Sequence, residues 1–358
     1  MRAHNFGAGP CALPLDVLEE VAAELTDFGG TGMSLIELSH RSKDYEAVHM
    51  GTLEALRRVA AVPDDFDILF IQGGATMQFA MVPINLVAPS QRAGVIVAGS
   101  WGKKALSDGS KHGDLVAAWD GAASGYTTMP AAGEVEIDPD WRYVHVTTNE
   151  TIGGIRMVEL PDTDVPLVAD MSSDYLSRPI EWDRYDLVYG GVQKNLAPAG
   201  MAVVFVKKSV AATPANDVAN YLRYDFHASS DSLGNTPPMF PIYVMGKVLG
   251  RLEQRGGIAA LEERSAAKAG AVYDAIDGSD GFYRSPVDPK VRSHMNVVFR
   301  LPTEQLEAEF VAAAAERSLI GLKGHRSVGG CRASLYAALE MESVEALVSF
   351  MQDFRATH

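Results

Sequence analysis

Leu187-Val-Tyr-Gly-Gly-Val-Gln-Lys-Asn-Leu-Ala-Pro-Ala-Gly-Met-Ala-Val-Val-Phe-Val206 reads as an apolar strand, a turn carrying Lys194, and a second apolar strand. A lysine in a Gly-rich turn between two buried strands is either a salt-bridged turn residue or a reactive amine. Ahead of it, Pro166-Leu-Val-Ala-Asp-Met-Ser-Ser173 is another apolar strand, with Asp170 at its end. If the strand ending at Asp170 and the strand before Lys194 are parallel neighbours, both groups meet at one sheet edge.

Two readings of that pair stand side by side. One is a structural ion pair. The other is a seat for pyridoxal 5'-phosphate, which needs an amine to hold its aldehyde and an anion beside its ring nitrogen to keep the ring electron-poor. The remaining chain has to separate them.

The chain of 358 residues is long enough for two domains around one cleft. Hydrophobic residues make up 47% and charged residues 22%, an ordinary globular balance. With 31 Lys and Arg against 46 Asp and Glu, the net charge of −15 supplies no global field for nucleic acid or an anionic membrane. Anionic ligands must then be caught by local basic residues. The two cysteines, Cys11 and Cys331, have no metal-type spacing, so no metal site is expected and both read as reduced thiols. The absence of a signal-like leader or a membrane-length apolar run leads to the expectation of a cytoplasmic, unexported protein.

Asn5-Phe-Gly-Ala-Gly-Pro-Cys-Ala-Leu-Pro14 is punctuated by Gly and Pro and reads as an extended arm, followed by a helix over 15–25. A second helix starts within Ser39-His-Arg-Ser-Lys-Asp-Tyr45, putting His40 and Arg41 where backbone amides favour an anion. A solvated helix cap is the plainer reading of that pair. Asp67-Ile-Leu-Phe-Ile-Gln72 is a strand, and Gly73-Gly-Ala-Thr76 then opens an apolar helix. Strand, glycine turn and helix is the geometry in which backbone amides cradle a phosphate at a helix N-terminus. It is neither a dinucleotide fingerprint nor a nucleotide-triphosphate loop.

The strand Gly94-Val-Ile-Val-Ala-Gly99 has Trp101 beyond its end, able either to stack on a flat ring or to plug the domain edge. Tyr143-Val-His-Val-Thr147 is followed by Thr148-Asn-Glu-Thr151, where Thr151 offers a hydroxyl to a polar ligand. In open α/β sheets ligands bind beyond the C-terminal strand ends, so the glycine turn, Trp101, Thr151 and Asp170 are expected around one crevice. A helix is expected over 209–218, a long polar loop over 226–238, and helices over 239–255 and 258–276. A smaller α/β unit follows from about 280, with a strand at 294–300, a helix at 303–318 and a closing helix after Glu340. Its turn Gly321-Leu-Lys-Gly-His-Arg-Ser-Val-Gly-Gly-Cys-Arg332 gathers Lys323, His325, Arg326 and Arg332 in an otherwise acidic chain, which favours a carboxylate or phosphate clamp.

Taken together, the motifs resemble the phosphoserine aminotransferase family, class-V enzymes of the fold-type I pyridoxal-phosphate group. The resemblance runs from Phe6-Gly-Ala-Gly-Pro10 through Glu37-Leu-Ser-His-Arg41, Asn149-Glu-Thr-Ile152, Gln193-Lys-Asn195 and Asn235-Thr-Pro-Pro238 to Lys323-Gly-His-Arg326. It implies an α/β fold: a large domain, 15–255, with a mixed, mostly parallel sheet flanked by helices, and a small domain formed by 1–14 and 256–358. Lys194 would be the Schiff-base lysine and Asp170 the partner of the pyridinium nitrogen. Trp101 would stack on the ring and Thr151 would donate a hydrogen bond beside it. Ala75, Thr76 and Gln193 would hold the cofactor phosphate, joined by Asn235 and Thr236 from the other subunit of a homodimer with composite sites. Arg332 would take the substrate α-carboxylate, and His40, Arg41, His325 and Arg326 the distal phosphate or carboxylate.

The implied reaction carries an amino group from L-glutamate to 3-phosphohydroxypyruvate in serine biosynthesis. A phosphorylated hydroxythreonine of vitamin B6 synthesis is a possible second substrate. Two positions depart from some family members, which have arginine where this chain has Thr76 and serine where it has Ala8. The rival readings are an alanine or serine:glyoxylate aminotransferase and a silent metabolite-binding protein. The basic turn argues against the first, and the retention of Lys194 and Asp170 against the second.

Overall fold

Six of the apolar runs pair with a part-exposed edge strand into one sheet, and the burial of the inner strands explains why they read as continuous rather than alternating hydrophobic stretches. The structure, a computed structural model, describes residues 2–358. The strands are β1 (Phe66–Gln72), β2 (Arg92–Val97), β3 (Asp114–Asp120), β4 (Val144–Thr147), β5 (Leu167–Asp170), β6 (Tyr185–Gly191) and β7 (Met201–Lys207). Their order across the sheet is β1-β7-β6-β5-β4-β2-β3. Only β7 runs against its neighbours, pairing antiparallel with both β1 and β6, while β6, β5, β4, β2 and β3 are mutually parallel. Every residue of β4, β5 and β6 is buried, because helices and loops cover both sheet faces.

Helices α1 (Leu15–Glu24), α2 (Lys43–Val59), α3 (Gly74–Leu86) and α4 (Ser100–Gly109) precede or connect the early strands. Val82 and Leu86 of α3 and Ala105 of α4 cover one sheet face, together with Val95, Val168 and Leu187. Val146, Ala169, Val188 and Val203 point to the other face and pack with Leu56 of α2 and Trp182. Helix α5 (Met239–Gln254) lies with α1 and α2 around Val17, Val21, Tyr45 and Val244.

Helix α6 (Gly257–Asp277) leads into the C-terminal unit, where the antiparallel pair β8 (Asn296–Phe299) and β9 (Cys331–Ser334) packs with α7 (Glu304–Glu316) and α8 (Met341–Thr357). Phe299, Phe310, Phe350 and Phe354 form its centre, and Phe6 of the N-terminal arm is buried among them. His4–Asn5 also pairs in parallel with Leu319–Ile320. On this packing we propose the division into a large unit, 15–255, and a small one built from 1–14 and 256–358.

Some elements differ from the sequence expectation. The helix expected over 209–218 is limited to Lys208–Ala211. Pro214 disfavours helical backbone at Thr213 and supplies no amide of its own. The polar segment 226–238 begins inside a short helix, Tyr224–Ala228, and is tied to the sheet by Ser232, whose Oγ accepts the Phe70 amide at 2.9 Å. Trp101 lies within the first turn of α4, since Gly99 is already the N-cap. Helix α2 starts at Lys43 with Ser42 as its cap, so His40 and Arg41 stand in the turn ahead of the helix rather than at its amides.

Candidate active site

The parallel strands end at one edge, and a cleft of about 550 Å³ opens there. That volume is in the range of a small-molecule site. Strand β5 contributes Asp170, aligned in register with Thr147 of β4 and Tyr189 of β6. Lys194 follows the end of β6 in the turn before β7. Both line the cleft and both are buried, Asp170 at 4% exposure and Lys194 at 8%.

The surroundings of Asp170 direct one face of its carboxylate inward. Ser172 donates to Oδ1 from its amide at 2.8 Å and its hydroxyl at 2.6 Å, and the same hydroxyl accepts the Gly191 amide at 3.0 Å. Oδ2 is left for the cleft. Burial raises the Asp170 pKa, while the Ser172 hydroxyl and the Lys194 charge pull it back. A cationic ring nitrogen beside Oδ2 would favour the anion further, as any opposite charge at contact distance does.

Lys194 donates from Nζ to Thr151 Oγ1 at 3.1 Å and stands 5.4 Å from the centre of the Trp101 ring. Its pKa is lowered by burial, against the opposing pull of Asp170, Glu150 and Asp174. An ammonium has three N–H donors, so one hydroxyl leaves most of this amine uncommitted. The N-terminal arm fixes the lysine's backbone: Cys11 Sγ donates to the Lys194 carbonyl at 2.5 Å, and the Cys11 amide donates to the Gln193 carbonyl at 3.3 Å. Gly9, at φ +131, adopts a backbone that side chains avoid, and a Cβ there would sit 3.5 Å from Lys194 Cγ.

At the end of β1, Gly73 (φ 97) and Gly74 (φ 63) turn the chain into α3. Among the described residues no acceptor meets the amides of Gly74, Ala75 or Thr76. Free amides at a helix N-terminus, lining a cleft with Gln193, suit a phosphate. On the opposite wall, Arg332 donates from Nη1 to the Thr151 carbonyl at 3.3 Å, and its buried Nε has no partner. Arg332 forms no ion pair with any described carboxylate, so its guanidinium remains available to an external anion. His325 shares that wall, and burial together with the charges of Arg332, Arg326 and Lys104 lowers its pKa. The cleft therefore fits pyridoxal phosphate: a buried amine, a buried carboxylate, an indole face and a row of free amides surround one space.

The sequence-derived residues divide into two sets. Ala75, Thr76, Trp101, Thr151, Asp170, Gln193, Lys194, His325 and Arg332 line the cleft, as does Ala8. His40, Arg41, Asn235, Thr236 and Arg326 do not. Four of these five belong to neighbouring loops: Thr236 Oγ1 lies 3.4 Å from His40 Nδ1, and Asn235 Nδ2 lies 3.5 Å from Gln72 Oε1. Arg326 is exposed in the turn after His325. Among the described residues no His, Cys, Asp and Glu cluster is arranged to hold a metal, and no helix is long and apolar enough to cross a membrane.

Sequence reasoning did not single out Ser172, Cys11 or Glu150. The Asp-x-Ser spacing was a usable signal for Ser172, because a serine two residues on reaches back to an Asp side chain readily. Nothing local marks Cys11 or Glu150, whose partners lie on other elements.

A sheet of this topology, with an Asp at one strand end and a buried Lys beyond the next, has the form of a fold-type I pyridoxal-phosphate enzyme. The aminotransferase class-V family model matches residues 3–347. The chain belongs to that family and, within it, groups with the phosphoserine aminotransferases. The phosphoserine aminotransferase of Geobacillus kaustophilus is 49% identical over 354 residues, covering 99% of this chain and 98% of the relative. The phosphoserine aminotransferase structure from Bacillus circulans subsp. alkalophilus superposes with a TM-score of 0.97 at 48% identity, covering 99% of each chain. A pyridoxal-phosphate-bound phosphoserine aminotransferase from Trichomonas vaginalis superposes with a TM-score of 0.91 at 36% identity, covering 98% of this chain and all of that one.

Proposed function

We propose that this chain is a pyridoxal-phosphate-dependent phosphoserine aminotransferase, moving an amino group reversibly between L-glutamate and 3-phosphohydroxypyruvate to give 2-oxoglutarate and O-phospho-L-serine. The observation that carries this reading is the buried Lys194 and Asp170 meeting in one cleft whose far wall holds an unpaired Arg332. When bound, pyridoxal phosphate supplies a carbonyl that amines condense with and a protonated ring that draws electrons from the substrate α-carbon.

Each side chain has a task in that frame. Lys194 would hold the cofactor and, as a free amine, would move the proton at the substrate α-carbon. Its lowered pKa favours the free amine that this work requires. Asp170 keeps the ring nitrogen protonated. Trp101 would offer its indole face to the ring, and Thr151, now bonded to Lys194, would offer it a hydroxyl. The amides of Ala75 and Thr76, with Gln193, hold the cofactor phosphate, and Arg332 clamps the α-carboxylate.

Arg326 extends the cation set toward the distal anion of either substrate, and His325, its pKa lowered, adds a neutral imidazole N–H beside it. Asn235, Thr236, His40 and Arg41 cluster outside their own cleft, which supports a homodimer in which they complete the partner subunit's site. A cytoplasmic location belongs to the same reading.

The test is the visible absorption of the cofactor-loaded protein. The expected sequence is loss of the cofactor band on adding L-glutamate and its return on adding 3-phosphohydroxypyruvate. A band that bleaches with glutamate and does not return would discard the phosphorylated substrate. No band after supplying pyridoxal phosphate would discard the enzyme.

A further inference from the structure

Glu150 is fully buried, with no Lys or Arg within ion-pair distance among the described residues. Its carboxylate has instead gone to a helix end. Both oxygens accept the Trp101 amide, each at 3.1 Å, and Oε1 also accepts the Gly102 amide at 2.8 Å. These are amides of the first turn of α4, whose own N-cap, Gly99, contributes no side-chain hydrogen bond. A residue far away in the chain therefore supplies the cap that the local sequence lacks, where the helix dipole favours negative charge.

The fit is close. A Cβ at Gly99 would lie 2.5 Å from Glu150 Cδ, so the carboxylate occupies the space a side chain there would take. Gly102 is packed as tightly, its Cβ position lying 2.7 Å from the Ile96 carbonyl oxygen. Glu150 stands between Asn149 and Thr151, both of which line the cleft, and Thr151 receives the Lys194 amine. One carboxylate thus fastens the segment carrying Trp101 to the segment carrying Thr151.

We propose that Glu150 is a positioning residue for the cofactor, holding the Trp101 indole at its height over the cleft by gripping the backbone beneath it. This rests on the pyridoxal-phosphate reading of the cleft. The grip is strongest for the ionised carboxylate, because bonds from amides to a charged acceptor are roughly twice as strong as neutral ones. Burial pushes the Glu150 carboxyl up to about 7, while the Gly102 and Trp101 amides hold it down.

The test is a double-mutant cycle on the full chain, read as pyridoxal phosphate affinity by equilibrium dialysis without amino donor. Glu150→Gln keeps the size and one acceptor oxygen, but sets an N–H against the Trp101 amide; an affinity loss of about fivefold is expected. Glu150→Leu removes both acceptors, and about twentyfold is expected. In a Trp101→Ala background, itself weakened, either substitution should add less than about twofold, because Glu150 acts through the indole. The glutamine variant decides alone if the leucine variant does not fold. Unchanged affinity in Glu150→Gln, unchanged affinity in Trp101→Ala, or a Glu150 loss that persists in full on the Trp101→Ala background would each overturn the proposal. Failure of the parent protein to bind pyridoxal phosphate would instead sink the cofactor reading on which it rests.

Discussion

Among the described residues two lysines, Lys194 and Lys268, are buried, and their hydrogen bonds separate them. Lys268 of α6 donates from Nζ to three carbonyls, those of Leu335 at 2.9 Å, Tyr336 at 2.8 Å and Leu339 at 2.9 Å. Among the described residues Lys194 donates from Nζ only to the Thr151 hydroxyl. Burial lowers both pKa values, that of Lys268 to about 8, so Lys268 is still an ammonium at neutral pH and all three of its donors are spent. It clasps the chain after β9 to α6. Lys194 has donors to spare, a buried carboxylate nearby and open space in front of it. Burial alone does not make a lysine reactive; burial with unmet hydrogen-bonding capacity, facing a cleft, does.

The comparison breaks first at Lys194. Lys194→Ala should lower amino transfer by about 10³-fold or more, with cofactor still bound through the phosphate cradle and the urea midpoint nearly unchanged. Steady-state rates and dialysis of the cofactor check this together. Lys268→Met should do the reverse. The carbonyls of Leu335 and Leu339 lose their donor, while that of Tyr336 keeps the Leu339 amide; this costs about 2 kcal/mol in stability, read as a lower urea midpoint, while the rate constants of the folded fraction hold.

Smaller changes sharpen the contrast. Arg326→Ala should cut kcat/KM for the phosphorylated keto acid by about tenfold more than for an unphosphorylated analogue, with stability unaffected. Equal losses on both would remove Arg326 from the distal clamp. The smallest effect belongs to Glu340, which follows the clasp at Leu339 and pairs with Arg255 at 2.5 Å and Arg251 at 3.0 Å. Hydrogen bonding from Arg255 holds its carboxyl down at about 2, below the ordinary 4.5. A depressed carboxylate stabilises the fold fully above its ordinary pKa, and the contribution disappears as pH falls through the folded value. With the Glu340 side chain 47% exposed, solvent screening limits this to about 0.5 kcal/mol. The urea midpoints of Glu340→Gln and its parent should therefore differ slightly at pH 7 and converge between pH 4.5 and 2.

The sequence made Lys194 legible and Lys268 invisible for one reason. Lys194 stands between two apolar strands with glycines beside it, a context that a surface lysine rarely has. Lys268 lies in Ala-Ala-Lys-Ala-Gly, where an exposed helix lysine would look the same, and its three acceptors come from a segment some seventy residues later. Strand-end residues such as Asp170 and Thr151 were readable because the parallel strands all send their C-terminal ends to one edge. Glu150 was not, because its partners belong to another helix. The helix expected over 209–218 failed at Pro214, where a local rule outweighed the apolar period. Motif reading put Asn235 and Thr236 at the cofactor phosphate of the other subunit and His40 and Arg41 at the distal anion, while the position of all four outside the chain's own cleft needed coordinates.

The most direct test of the central claim is chemical trapping. The cofactor-loaded protein is reduced with borohydride, digested, and its peptides read by mass spectrometry. The account predicts the reduced pyridoxyl group on Lys194 and none on Lys268 or any other lysine. Label on another lysine, with Lys194 unmodified, would contradict it.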